Sequence, residues 1–340
     1  MSLGLDTLLQ NVEDEVNKSI DKKCSEFANN FSQTVNEARE ELKQLAKERP
    51  LLVIKDDKKH TVEGLKHKKL ETLITLIGAK QNVLLVGSAG TGKTKSAEQV
   101  AEALGLKFSC ISVGSQTSKS DLLGYMNANG TYTTTAFRDA YENGGLFCMD
   151  EIDAGNSNVL IVLNSALSNG VCSFPDKIVK ANPDFRFIGT ANTYGNGADR
   201  TYVGRNQLDG ATLDRFVVID WGVDEELEKS LVEPYKDGIA WLETMWDLRK
   251  EIERNGIRAI VSPRMTVRCA VCWELGNTLA DVITMCVLPQ IPSDKRTYYL
   301  ERVKDQFTTR QKRIEKENKE KKKAETKDTE QKKFDLELPF

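Results

Sequence analysis

Histidine is nearly absent from this 340-residue sequence. His60 and His67 are the whole supply, too few for a histidine-built metal centre. Cysteine is present but unpaired in number. Seven residues scattered along the chain read as reduced thiols rather than a disulfide framework. No apolar run approaches the ~20 residues that a membrane-spanning helix needs, so no transmembrane helix is expected. Neither sign of charge dominates. Lys and Arg number 48 against 51 Asp and Glu, a net −3, which excludes a globally basic nucleic-acid coat but leaves room for a local patch. Met1–Gln10 has no charged n-region and no long apolar run before Glu13 and Asp14, so no secretory signal is read there. A cytoplasmic location is the expectation. Hydrophobic residues make up 39% of the chain, which suits a globular protein, and the length allows two or three domains.

Four stretches differ in character. Residues 1–50 are polar, with apolar positions at helical spacing (Leu9, Val12, Val16, Ile20; Phe27, Phe31, Val35), and predict an N-terminal helical segment ending at Pro50. Residues 51–225 alternate short apolar runs with helical patterns. The runs are Asn82–Val86, Phe108–Val113, Gly145–Met149, Phe185–Thr190 and Phe216–Asp220. Buried strands separated by helices imply an α/β fold, a doubly wound parallel sheet whose ligands sit at the carboxyl ends of strands. Residues 226–300 read as helices broken by Gly238, Gly256 and Gly276, a small helical domain. Residues 301–340 are a charged tail, a solvated helix or disorder.

The chemistry concentrates in the second stretch. Gly87-Ser88-Ala89-Gly90-Thr91-Gly92-Lys93-Thr94 fits G-x-x-x-x-G-K-[ST], the Walker A loop, and lies between a strand and a helix. Its glycines let successive backbone N–H groups point into one concavity, which with the helix N-terminus binds phosphate oxygens. Lys95 follows in the same first turn. Lys93 suits the β- and γ-phosphates, and the Thr94 hydroxyl suits Mg²⁺. Asp150 and Glu151 end the strand Gly145–Met149. Two carboxylates there need a cation or a task. Asp150 suits the shell of Mg²⁺ and Glu151 suits deprotonating an attacking water. ATP and Mg²⁺ are therefore the expected ligands, and ATP hydrolysis the expected reaction.

These motifs continue in a fixed order through Gly189-Thr190-Ala191-Asn192-Thr193, Leu213-Asp214-Arg215-Phe216 and Ser262-Pro263-Arg264. Over about 60–300 the chain resembles the AAA+ ATPases. Thr190–Asp199, Tyr202-Val203-Gly204, Asn206-Gln207-Leu208 and Ala211–Phe216, with Asn182–Arg186 before them, resemble the MoxR-like branch, which includes the cobalt chelatase ATPase subunit and CbbQ-type proteins. The resemblance implies a P-loop NTPase core with a helical lid. It implies that Asn192 is a sensor positioning the lytic water, and that Arg264 reaches the phosphates from the lid. It further implies that Arg215 is an arginine finger serving the neighbouring subunit, with Arg200 and Arg205 as rivals. A homo-oligomeric ring, a hexamer, and a partner with a von Willebrand A-type domain are also implied. A nucleic-acid motor of the McrB kind is the alternative, which the near-neutral charge disfavours.

Gly124–Thr135 predicts a hairpin around Asn129-Gly130, and Gly170–Phe187 a second one. The resemblance places both on the pore or partner face. Cys269-x-x-Cys272 has no second pair, and reads as helix cysteines rather than a zinc site. Phe334–Phe340 is an acidic, apolar terminal peptide of a kind that can dock in a pocket.

Overall fold

All five apolar runs form strands, and all five pair in parallel. The computed structural model describes residues 51–55 and 58–336, together with Lys23 and Gln33, both helical. The rest of the helical segment expected over 1–50, and the end of the terminal peptide, lie outside the described residues. The chain divides into two units, Met1–Leu51 and Leu52–Phe340, and the second carries everything below.

The strands are β1 (Val83–Val86), β2 (Phe108–Ser112), β3 (Gly145–Asp150), β4 (Phe185–Ala191) and β5 (Val217–Asp220). Their order across the sheet is β5-β1-β4-β3-β2. Val86 pairs with Ala191 and with Asp220, Met149 with Gly189, and Asp150 with Ser112. This register aligns the carboxyl ends of all five strands. Gly87, Glu151 and Asn192, each the next residue or two along, are delivered to one edge of the sheet. The chain order reverses around β1, where open α/β sheets bind ligands.

Helices cover the sheet through one apolar face each. Helix α1 (Leu70–Gly78) buries Leu70, Leu73, Ile74 and Ile77, a 3–4 spacing, and α2 (Lys93–Ala103) buries Ala97, Val100 and Ala101. Between β2 and β3 come α3 (Lys119–Leu123) and α4 (Ala136–Asn143), and after β3 comes α5 (Ser157–Asn169). The short α6 (Gly210–Leu213) precedes β5. Phe137, Tyr141, Phe147, Phe187 and Leu163 form the centre of this core.

Both expected hairpins are present, Tyr125–Met126 with Tyr132–Thr133 and Val171–Ser173 with Ile178–Lys180. Arg138 on α4 holds the two together. It pairs with Asp176 at 2.9 Å and Glu142 at 2.7 Å, and its guanidinium lies 4.3 Å from the Phe174 ring centre and 5.2 Å from that of Tyr132.

The helical part comprises α7 (Glu225–Val232), α8 (Gly238–Arg254), α9 (Pro263–Glu274), α10 (Leu279–Cys286) and α11 (Arg296–Leu336). Its own core gathers Trp241, Met245, Leu248, Val282 and Ile283. Tyr299, Val303 and Phe307 belong to that core as well, with Phe307 4.3 Å from Trp241 ring to ring. The boundary expected at residue 300 therefore falls inside a continuous helix. Its first turns carry an apolar stripe, and only the later Lys- and Glu-rich turns match a charged tail. The carboxylate of Glu228 is buried among Arg249 (2.9 Å), Trp246 Nε1 (3.0 Å) and Thr266 Oγ1 (2.5 Å), and so ties α7, α8 and α9 together.

Candidate active site

Two glycine properties shape the loop after β1. A Cβ on Gly87 would stand 2.0 Å from the Trp221 carbonyl oxygen, so no other residue fits there. Gly90 and Gly92 adopt φ of +80° and +85°, the left-handed region. Gly92 caps α2 with no side-chain acceptor on the first-turn N–H groups. These donors are available to an anion.

Lys93 opens α2, and it is buried. Its Nζ donates to Gly87 O (2.7 Å), Ser88 O (3.0 Å) and Asn192 Oδ1 (3.0 Å). Burial lowers its pKa to about 8, against the opposing pull of Asp150, Asp153 and Glu151. The contact with Asn192 joins two sequence-predicted residues that are 99 positions apart. Thr94 is half-buried in the first turn of α2. The Lys95 side chain turns to solvent, where it pairs with Glu98 at 2.8 Å, and is not brought into this group.

Asp150 ends β3 and accepts a hydrogen bond from the Thr190 hydroxyl, which also receives the Glu151 N–H at 3.2 Å. Glu151 has φ +58°, a conformation uncommon outside glycine, which ends the strand abruptly. Its Oε2 lies 3.3 Å from Arg205 Nη1.

Asp153 was missed in the sequence, and it organises the site. It is fully buried, and its Oδ2 accepts from Asn192 N (3.1 Å), Thr193 N (3.0 Å) and Thr193 Oγ1 (2.9 Å). Its Oδ1 faces Arg205 Nη1 at 3.6 Å. The segment 199–208 was also missed as a structural element. Asn206 N donates to Asp153 O at 2.7 Å, and the Tyr202 hydroxyl accepts from Ala89 N at 2.9 Å. Asp199, whose carboxylate accepts from Thr201 N and Tyr202 N, is the local turn signal that marks this segment.

The arginine rivals separate by position. Arg205 faces Glu151 of its own chain. Arg200 lies against the Gly256 turn of the lid, with Nη1 2.5 Å from where a Cβ there would stand. Arg215 precedes β5 and donates to Ser168 Oγ (2.6 Å), Asn164 O (3.3 Å) and Ala211 O. It sits at the amino edge of the sheet, whereas the loop lies at the carboxyl edge. A four-residue strand at about 3.3 Å per residue separates them by roughly 13 Å. Arg264, in the first turn of α9, has its Cβ 3.2 Å from the position of a Cβ on Gly90. A cavity of about 350 Å³ opens beside the loop, lined by Ser88 and Tyr202 from the core and Ile252, Ile257 and Val261 from the lid.

Part of the chain is similar to known proteins. Residues 82–216 match the AAA domain of the dynein-related subfamily. The chain is 33% identical over 162 residues to the aerobic cobaltochelatase subunit CobS of a Sinorhizobium species, covering 44% of this chain and 48% of that protein. It is 27% identical over 173 residues to midasin of Giardia intestinalis, covering 48% of this chain and 4% of midasin. The chain thus spans less than two thirds of either relative's length. Among solved structures, a variant of Thermotoga maritima RuvB aligns with a TM-score of 0.42 at 19% identity, covering 70% of this chain and 71% of that one. No described helix is long and apolar enough to cross a membrane.

Proposed function

We propose that this chain, which carries an AAA+ domain resembling the MoxR-like branch, is a Mg²⁺-dependent ATPase whose turnover drives remodelling of a protein partner. One observation carries the reading. Lys93, Asn192 and the Asp150–Glu151 pair come from three separate strand ends and meet at one loop of free N–H donors.

Each residue has a definable task there. The N–H groups of Gly90 to Thr94 and the Lys93 ammonium hold the phosphate oxygens. Lys93 is held by two carbonyls and Asn192. The cavity between core and lid accepts the base, with Ile252, Ile257 and Val261 as its apolar wall. Asn192, fixed by Asp153, orients water, and Glu151 accepts its proton. Thr94 and Asp150 fit a hard divalent cation, since a hydroxyl and a carboxylate are oxygen donors suited to Mg²⁺. That cation supplies charge neutralisation on the phosphate oxygens. Arg264 adds positive charge from the lid side.

Arg215 cannot reach its own loop across the sheet. Its role falls on a neighbouring subunit's phosphate, and the working unit is then a homo-oligomeric ring, most simply a hexamer. Similarity to a cobaltochelatase subunit supports a partner-remodelling role, with a von Willebrand A-type protein or chelatase as the partner class. The two hairpins joined by Arg138 are the elements that would contact it.

Calorimetric titration tests the nucleotide assignment. The wild type should bind Mg·ATP, and Lys93→Met, which keeps an apolar stem in the buried position, should bind it weakly. Equal affinity of the two proteins would refute the loop assignment.

A further inference from the structure

The lid contains a thiol cluster that the nucleotide site does not use. Cys269 and Cys272 sit one turn apart on α9, and Cys286 is the last residue of α10. In sequence the Cys269-x-x-Cys272 pair has no third thiol nearby. The fold supplies one, because α9 and α10 turn back on each other through 275–278. Cys286 Sγ lies 3.8 Å from Cys272 Sγ, and Cys286 is also hydrogen-bonded to Cys269. Cys269 is fully buried, whereas Cys272 and Cys286 are both partly exposed. A soluble oxidant therefore reaches two of the three.

We propose that Cys272 and Cys286 are a redox-active dithiol, which a hydroperoxide converts into an intrachain disulfide joining α9 to α10, with Cys286 attacking and Cys272 resolving. Three features assign the roles. The sulfur atoms must close from 3.8 Å to about 2.05 Å, a displacement that side-chain rotation at a partly exposed site allows. The neighbouring Cys269 and Cys272 thiols, with the charge of Arg268, draw the Cys286 thiol below its ordinary range. Burial and the same cluster push Cys272 the other way, so one sulfur is the thiolate and the other the proton-bearing thiol. Cys269 has no route to solvent and serves as a hydrogen-bond donor.

The chemistry balances without a further reactant. The Cys286 thiolate attacks one peroxide oxygen. The O–O bond breaks, leaving a sulfenic acid on Cys286 and a hydroxide that takes a solvent proton to become water. The Cys272 sulfur then attacks the Cys286 sulfur. The S–S bond forms, the S–O bond breaks, and the departing hydroxide leaves as water with the Cys272 proton. Two thiols and one hydrogen peroxide give one disulfide and two waters, with two electrons passing to the peroxide.

The test uses the full chain, treated with equimolar hydrogen peroxide near pH 7, then blocked with iodoacetamide. Trypsin leaves all three thiols in one peptide, residues 269–295, and further cleavage after Glu274 separates Cys269 and Cys272 from Cys286. The expected product is a pair of peptides bridged between Cys272 and Cys286, two hydrogens lighter than the dithiol and released by dithiothreitol. Cys269→Ser should keep the bridge. Cys272→Ser should instead leave a sulfenic acid on Cys286 that dimedone traps. Alkylation of both Cys272 and Cys286 after peroxide treatment would overturn the proposal. So would a bridge from Cys286 to Cys269, or bridges only between chains.

Discussion

Arg205 lies 3.3 Å from Glu151 within one chain, and its guanidinium also faces the buried Asp153. An arginine held there by its own subunit's carboxylates is expected to act in cis. Arg205→Ala should lower turnover, because Glu151 and the Asp153-anchored Asn192 lose a shared support. It should also lower stability, because it takes away the cation that faces the buried Asp153 carboxylate. Mixing Arg205→Ala with Glu151→Gln protein should restore no ATPase activity, since no subunit then has both residues. Recovery in that mixture would move Arg205 to the neighbour's site.

Arg215 gives the opposite expectation. Arg215→Ala should leave ATP binding intact and reduce hydrolysis by about 10³–10⁵, the range of a trans-acting arginine. Mixed with Glu151→Gln protein, it should regain activity at interfaces that join an intact Glu151 to an intact Arg215. A steady-state phosphate assay across mixing ratios reads this directly. A flat line at the level of the parent variants would remove the ring interface from the account.

Lys93 gives a pH signature. Its folded pKa of about 8 lies below the ordinary lysine value, so without nucleotide the amine is half deprotonated near pH 8 and mostly so above it. Phosphate favours the charged amine, so ATP binding near pH 8.5 should take up a proton, approaching one per site, and affinity should fall as pH rises. Titration calorimetry in buffers of different ionisation enthalpy measures the uptake. Lys93→Met should abolish it. The same shift works on folding with a fixed sign. The unfolded chain holds this proton up to its higher pKa, so Lys93 lowers stability below pH 8, and that penalty is relieved between about 8 and the ordinary lysine value.

Glu228 is the polar centre of the lid. Glu228→Ala would strand Arg249, Trp246 Nε1 and Thr266 Oγ1 in the interior, at a cost of about 3–5 kcal/mol. Urea unfolding followed by tryptophan fluorescence should show the loss. A change below 1 kcal/mol would mean that the three donors find water instead.

Much of this architecture is legible in local sequence, and the limits are physical. The five strands are short apolar runs, four of which end at glycine or carboxylates and one at Asn192, and the parallel sheet follows from the helices between them. Gly87–Thr94 declares itself because phosphate binding needs those residue types at that spacing. Asp153 does not declare itself. An acid two positions after Glu151 reads as a surface residue until β4 folds beside it and supplies three donors. Cys286 is silent for the same reason, since its neighbours arrive only when α9 and α10 pack. The Lys- and Glu-rich later turns of α11 read as a solvated helix or disorder, while Val303 and Phe307 are too few to reveal in sequence that its first turns are part of the lid core. The finger rivals could be separated only by register, which places Arg215 at the far edge of the sheet and Arg205 beside Glu151.

The central claim is that Glu151 activates water for ATP hydrolysis at the Lys93 loop. Phosphate release from Mg·ATP by wild type and Glu151→Gln, with bound nucleotide measured in the same samples, tests it most directly. The account predicts that the variant binds ATP as the wild type does and releases phosphate about 10²–10⁴ times more slowly. Equal rates at equal occupancy would contradict it.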